Sequence, residues 1–108
     1  MQTKLLRSMR DRVVIVTGAA GGMGEATARL FSAEGARVAL ADLRERELGE
    51  VVASLDAARA QAYALDVTDA AALSRMVEAV AAQWGGIDAL VCNAGITADQ
   101  LAGRLARR

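Results

Sequence analysis

The sequence predicts an α/β protein: a doubly wound parallel sheet of about four strands with helices on both faces. Three observations carry this. Short apolar runs alternate with segments of helical period through residues 12–92. The first apolar run passes straight into a turn containing Gly18, Gly21, Gly22 and Gly24, and a helical pattern follows at once. The composition is 54% hydrophobic but only 3% aromatic, so the core must be built from Ala, Val and Leu, which suits helices packed closely on a sheet.

Residues 12–17 read as a buried strand, a β-branched run ended by Gly18. Residues 22–33 read as a helix whose inner face is Ala26, Leu30 and Ala33, with Gly35 as its stop. Residues 37–41 form a second apolar run. Residues 44–55 are a second helix, with Leu48, Val51, Val52 and Leu55 at i, i+3, i+4, i+7. A third strand over 61–65 is more weakly signalled. Residues 69–84 are a third helix with Leu73, Met76, Val77 and Val80 inside and Gly85-Gly86 at its end, and 87–92 is a fourth strand. Strands alternating with helices imply parallel pairing. Right-handed crossovers then give the strand order 3-2-1-4.

The bulk numbers bound the function. At 108 residues the chain is one domain, read as a tail over 1–10 and a partial domain over 11–108. Thirteen basic and thirteen acidic residues cancel, and three arginines in 104–108 are too few for a nucleic-acid surface. Cys92 stands alone, which excludes an internal disulfide and a cysteine-only metal site. With no histidine, a Ser-His-Asp triad and histidine metal sites are excluded as well. No apolar run spans a membrane and the first eleven residues lack a signal-peptide core, so a cytoplasmic setting is expected.

In sheets of this kind ligands bind at the carboxyl ends of the strands, where the strand order reverses. Four segments converge there: the glycine turn, Ala41-Asp42 with Leu43 next to it, Leu65-Asp66-Val67, and Cys92-Asn93-Ala94-Gly95. A diphosphate needs backbone N–H groups with no side chain in the way, and a helix N-terminus favours its charge. Gly18 would make the turn. Gly22 and Gly24 would bring the helix start close to the ligand and to the first strand, and Gly21 and Met23 are expected among the cofactor-binding residues of the turn. Asp42, 24 residues after Gly18, can accept hydrogen bonds from both hydroxyls of an adenosine ribose and would repel a 2′-phosphate. NAD is therefore expected over NADP, with Arg44 as the cation able to reach such a phosphate. Asp42-x-x-Glu45 also fits a helix capping box. Thr68 or Asp69 is the expected cap of the third helix, which leaves Asp66 to the ligand.

The spacing Thr17-Gly18-x-x-x-Gly22-x-Gly24, the Asp66-Val67 pair and Asn93-Ala94-Gly95 together resemble the short-chain dehydrogenase/reductase family, whose nucleotide-binding fold is of the Rossmann type. The stretch 95–101 looks like the same segment of bacterial 3-oxoacyl-acyl-carrier-protein reductases. The resemblance implies that Asp66 and Val67 contact adenine. It implies that Asn93 lines the pocket of the second ribose. One departure is visible, because Cys92 stands where the family has a first asparagine. Cys92 is read as a small buried hydrophobe, not a nucleophile.

The family's catalytic residues, a tyrosine with a lysine four residues later and a serine, have no counterpart here. Tyr63, read as a half-buried strand residue, is followed four residues on by Val67, and the only lysine is Lys4. Three readings follow. The chain is the cofactor-binding part of a longer hydride-transferring oxidoreductase, inactive alone and able to use a small carbonyl or alcohol only with the missing half. Or it is a non-catalytic NAD-binding module, or an interaction protein that reuses the fold. The first is preferred, and the exposed edge of the fourth strand then predicts self-association.

Overall fold

A computed structural model of the chain describes residues 9–93. It contains β1 (Val13–Thr17), α1 (Gly22–Ala33), β2 (Arg37–Asp42), α2 (Glu45–Ala53), a 3-10 turn (Ala57–Arg59), β3 (Ala60–Ala64), α3 (Ala70–Trp84) and β4 (Ala89–Cys92). All three strand pairs are parallel, and the order is β3-β2-β1-β4, as the crossover rules require.

β1 and β2 are buried on both faces, which is why they read as continuous β-branched and apolar runs rather than alternating ones. Their alternate side chains feed two cores. Val13, Ile15, Ala39 and Ala41 meet Leu73, Met76, Val77 and Val80 of α3 on one face. Val14, Val16, Val38 and Leu40 meet Ala28 of α1 and Leu48 and Val51 of α2 on the other. The sheet is thus covered on both sides, and among the described residues β4 is an edge whose four residues are only half-buried. Cys92 lies in that strand, half-buried against the α3 core.

The inner face of α1 differs from the expectation. Ala26, Leu30 and Ala33 are exposed, Leu30 by 60%, and the buried residues are Gly24 and Ala28. Close approach of helix to sheet selects the smallest residues at the contact, so hydrophobicity pointed to the wrong stripe. α2 is shorter than expected at both ends. The Ser54 hydroxyl donates to the Val51 carbonyl at 2.7 Å and the chain tightens into i→i−3 bonds at Ser54 and Leu55. Asp56 then caps the 3-10 turn by accepting from the Ala58 N–H. That turn brings β3 in one residue early, at Ala60 rather than 61.

Candidate functional site: a cleft at the carboxyl ends of the strands

The residues that follow the four strands converge on one cleft of ≈ 360 Å³. Of the residues expected there, Gly18, Gly21, Asp42, Leu43, Asp66, Val67 and Asn93 line it, and Arg44, Leu65 and Thr68 join them. Ala94 and Gly95 lie outside the described residues.

The glycine turn is shaped from two directions. Gly24 sits against the backbone of Gly18: a Cβ there would stand 1.9 Å from the Gly18 carbonyl oxygen. Gly22 has a different reason from the one expected. Nothing lies within 4 Å of its missing side chain, but its φ of +57° is a conformation other residues adopt only with strain. Gly21 is the N-cap of α1 and no side chain caps the helix. The first intrahelical bond runs from the Glu25 N–H to the Gly21 carbonyl, so the N–H groups before it have no partner within α1. Met23 is 72% exposed beside this turn.

Asp42 is the buried polar residue of the cleft, 7% exposed. Its carboxylate accepts four N–H bonds. The Ala20 N–H donates to Oδ2 at 3.0 Å and the Arg44 N–H to Oδ1 at 2.9 Å. The Arg44 guanidinium adds Nε to Oδ1 and Nη2 to Oδ2, both at 3.1 Å. Burial alone would raise the carboxyl pKa, but the bonds from Arg44 and Ala20 outweigh it and hold the group below the usual carboxylate range. The same pairing raises the pKa of Arg44. The expected capping box does not form. Asp42 makes a local turn with the N–H two residues on, and the N-cap of α2 is Arg44 with no side-chain cap.

Across the cleft, Asp66 Oδ1 accepts from both the N–H and the hydroxyl of Thr68, at 2.9 and 2.7 Å. Those bonds lower its pKa against a smaller opposing desolvation. Asp69 caps α3 by accepting from the Ala71 and Ala72 N–H groups, so Asp66 is spared that task as expected. Val67 packs into the α3 core, 6% exposed, and also lines the cleft. The Asn93 N–H donates to the buried Thr17 hydroxyl at 3.1 Å, and that hydroxyl donates to the Val91 carbonyl at 3.4 Å. Tyr63 lies elsewhere, half-buried beside α3, with its phenol pKa raised by burial.

Of the other lining residues, sequence reasoning placed Leu65 at this convergence without giving it a contact, named Arg44 only for a 2′-phosphate, and read Thr68 only as a candidate cap. Leu65 and Thr68 flank the Asp66-Val67 pair and were within its reach. Arg44 carried a usable signal, a long cation two residues after the selecting carboxylate.

A parallel sheet with a glycine turn, an uncapped helix start and a buried carboxylate at the end of the second strand defines a dinucleotide-binding α/β protein. The family model for the short chain dehydrogenase matches residues 12–107, and the chain belongs to that family of oxidoreductases. It is 50% identical over 86 residues to meso-2,3-butanediol dehydrogenase of Serratia marcescens, covering 80% of this chain and 34% of that protein. A short chain dehydrogenase from Bacillus anthracis superposes with a TM-score of 0.77 at 31% identity, over 82% of this chain and 36% of the other. The 3-ketoacyl-(acyl-carrier-protein) reductase of Brucella melitensis, solved with NADH, gives 0.72 at 32% identity, over 77% and 34%. The chain therefore spans about a third of the length of the curated relatives it matches.

Proposed function

We propose that this chain holds NAD for a hydride-transferring oxidoreductase acting on a carbonyl or alcohol, and that it prefers NAD to NADP. The observation that carries the reading is Asp42, a buried, ionised carboxylate at the end of β2 that lines the cleft and is bonded directly to the glycine turn through the Ala20 N–H. The residues present fit the cofactor. Gly24 keeps the start of α1 pressed on Gly18, a packing that any Cβ would fill. The unpartnered N–H groups at that helix start would hold the diphosphate. Asp42 would accept the hydroxyls of the adenosine ribose. Leu43, Asp66 and Val67 would border adenine, and Asn93 with Ala94 and Gly95 the second ribose.

A bound nicotinamide supplies the hydride donor or acceptor. The protein's own part, within this chain, is to bind and orient. The 108 residues hold no Tyr-x-x-x-Lys pair, and the role proposed for them is to bind and orient the cofactor. The names of the relatives, a butanediol dehydrogenase and a ketoacyl reductase, support the substrate class. The half-exposed β4 edge supports self-association, and the lone cysteine supports a reducing compartment.

Calorimetric titration with NAD and NADP tests the reading. Saturable binding of NAD, weakened by Asp42→Ala, is the expected result. A folded chain that takes up neither dinucleotide would overturn it. Purified free of host reductases, the 108-residue chain alone should show no NADH oxidation with ketones.

A further inference from the structure

We propose that a second cleft, between β3 and α3, binds a small apolar carboxylate: a molecule with one ring or a short aliphatic body and one anionic end. No part of this rests on the dinucleotide reading.

The cleft has a volume of ≈ 350 Å³ and is lined by Tyr63 of β3, by Leu65 just after it, and by Ala72, Arg75, Met76 and Ala79 of α3. Its shape follows from the sequence. Ala72, Arg75, Met76 and Ala79 stand at i, i+3, i+4 and i+7, so they share one flank of the helix. Tyr63 and Leu65 are two apart and both pack toward the α3 core, as strand alternation requires. Alanine at 72 and 79 leaves the space that larger side chains on that flank would fill. β3 is the end of the sheet order β3-β2-β1-β4, so among the described residues no further strand closes the cleft.

The chemistry of the occupant follows from the groups left unused. Arg12, Arg29, Arg37, Arg44, Arg46 and Arg59 each meet a carboxylate. Among the described residues no carboxylate does so for Arg75, and no hydrogen bond engages the Tyr63 hydroxyl. The phenol keeps its proton at neutral pH and is a donor, its pKa being raised by burial. An inorganic anion would meet an exposed cation and little else, a weak pairing. A neutral apolar molecule would gain the walls of Leu65, Met76 and the alanines but leave Arg75 unmatched. An apolar carboxylate uses both. The volume lies at the low end of the roughly 300–1,000 Å³ of small-molecule sites, which suits one ring with a short arm.

Titration of the isotope-labelled 108-residue chain with phenylacetate, followed by amide chemical shifts, tests the proposal. Saturable shifts are expected at Leu65, Ala72 and Ala79, with Gly18 and Gly21 of the dinucleotide cleft unmoved. Phenylacetamide has the same shape without the charge and should bind about fivefold weaker. Arg75→Gln should weaken phenylacetate by a similar factor and leave phenylacetamide unchanged, a pattern that damage to the fold would not give. Ala79→Leu places a good helix former in the cleft and should abolish phenylacetate binding with the circular dichroism intact. The proposal is overturned if the folded chain shows no saturable shift at Ala72 and Ala79, if Gly18 and Gly21 move instead, or if the amide binds as well as the acid. It is equally overturned if Arg75→Gln binds phenylacetate as the native chain does.

Discussion

The carbonyl oxygen of Gly18 occupies the place where a side chain at residue 24 would begin, 1.9 Å from an ideal Cβ on Gly24. The obstacle is backbone at the end of β1, so it has no rotamer by which to move aside. Gly24→Ala must push α1 off the sheet or distort the turn. Overpacking of this kind costs about 1–3 kcal/mol. The same shift displaces the helix-start N–H groups from the ligand. We expect a lower denaturation midpoint in urea together with a loss of NAD affinity of roughly tenfold. Unchanged values for both would show that the turn relaxes without harm.

Thr17 ties the end of β1 to the residue after β4. Its hydroxyl is fully buried and accepts from the Asn93 N–H while donating to the Val91 carbonyl. Thr17→Val preserves the shape and removes both bonds. The expected cost is about 1 kcal/mol, with faster amide hydrogen exchange at Asn93. Thr17→Ser retains the hydroxyl and should keep the Asn93 amide protected. Equal exchange in the two variants would remove Thr17 as the anchor of that site residue.

The acid limb of stability should carry the signature of Asp42. Its pKa in the folded protein lies below the unfolded value of about 3.9. The contribution is therefore complete above about pH 4 and is lost as pH falls through the lower folded value. Asp11 and Asp66 are shifted the same way, by Arg59 and Thr68 respectively, so the native curve alone does not isolate one group. Asp42→Asn does. The variant should be less stable than the native chain at pH 7, and the gap should narrow below about pH 4. A gap independent of pH would mean that the amide is accommodated as well as the carboxylate.

The architecture was legible because its signals are local and repeated. Each crossover contributes a short apolar run and a helical period, and the parallel order follows from handedness. Leu73, Met76, Val77 and Val80 were read correctly because α3 meets the sheet through large side chains. α1 was misread because its contact is made by Gly24 and Ala28, which a hydrophobic count ranks below Leu30. The convergence of Gly18, Asp42, Asp66 and Asn93 was legible from their places after the strands. The state of Asp42 was not. Whether a carboxylate caps a helix, stands open or is closed by Arg44 depends on side-chain geometry that spacing does not encode.

Asp88 closes the other end of the β1–β4 pair, and its role is separable from its charge. Its N–H donates to the Val13 carbonyl and its Oδ2 accepts from the Val13 N–H, both at 2.8 Å. This reciprocal clasp joins residues 75 apart in the chain and secures an edge strand of only four residues. Arg12 also approaches Asp88, at 3.5 Å, but both side chains are nearly half exposed, and such pairs contribute little. Asp88→Ala should therefore cost about 1–2 kcal/mol and speed amide exchange across β4. Asp88→Asn keeps an oxygen acceptor for the Val13 N–H and should recover most of that loss. If Asn fared as badly as Ala, and Arg12→Ala matched them, the ion pair rather than the clasp would be holding β4.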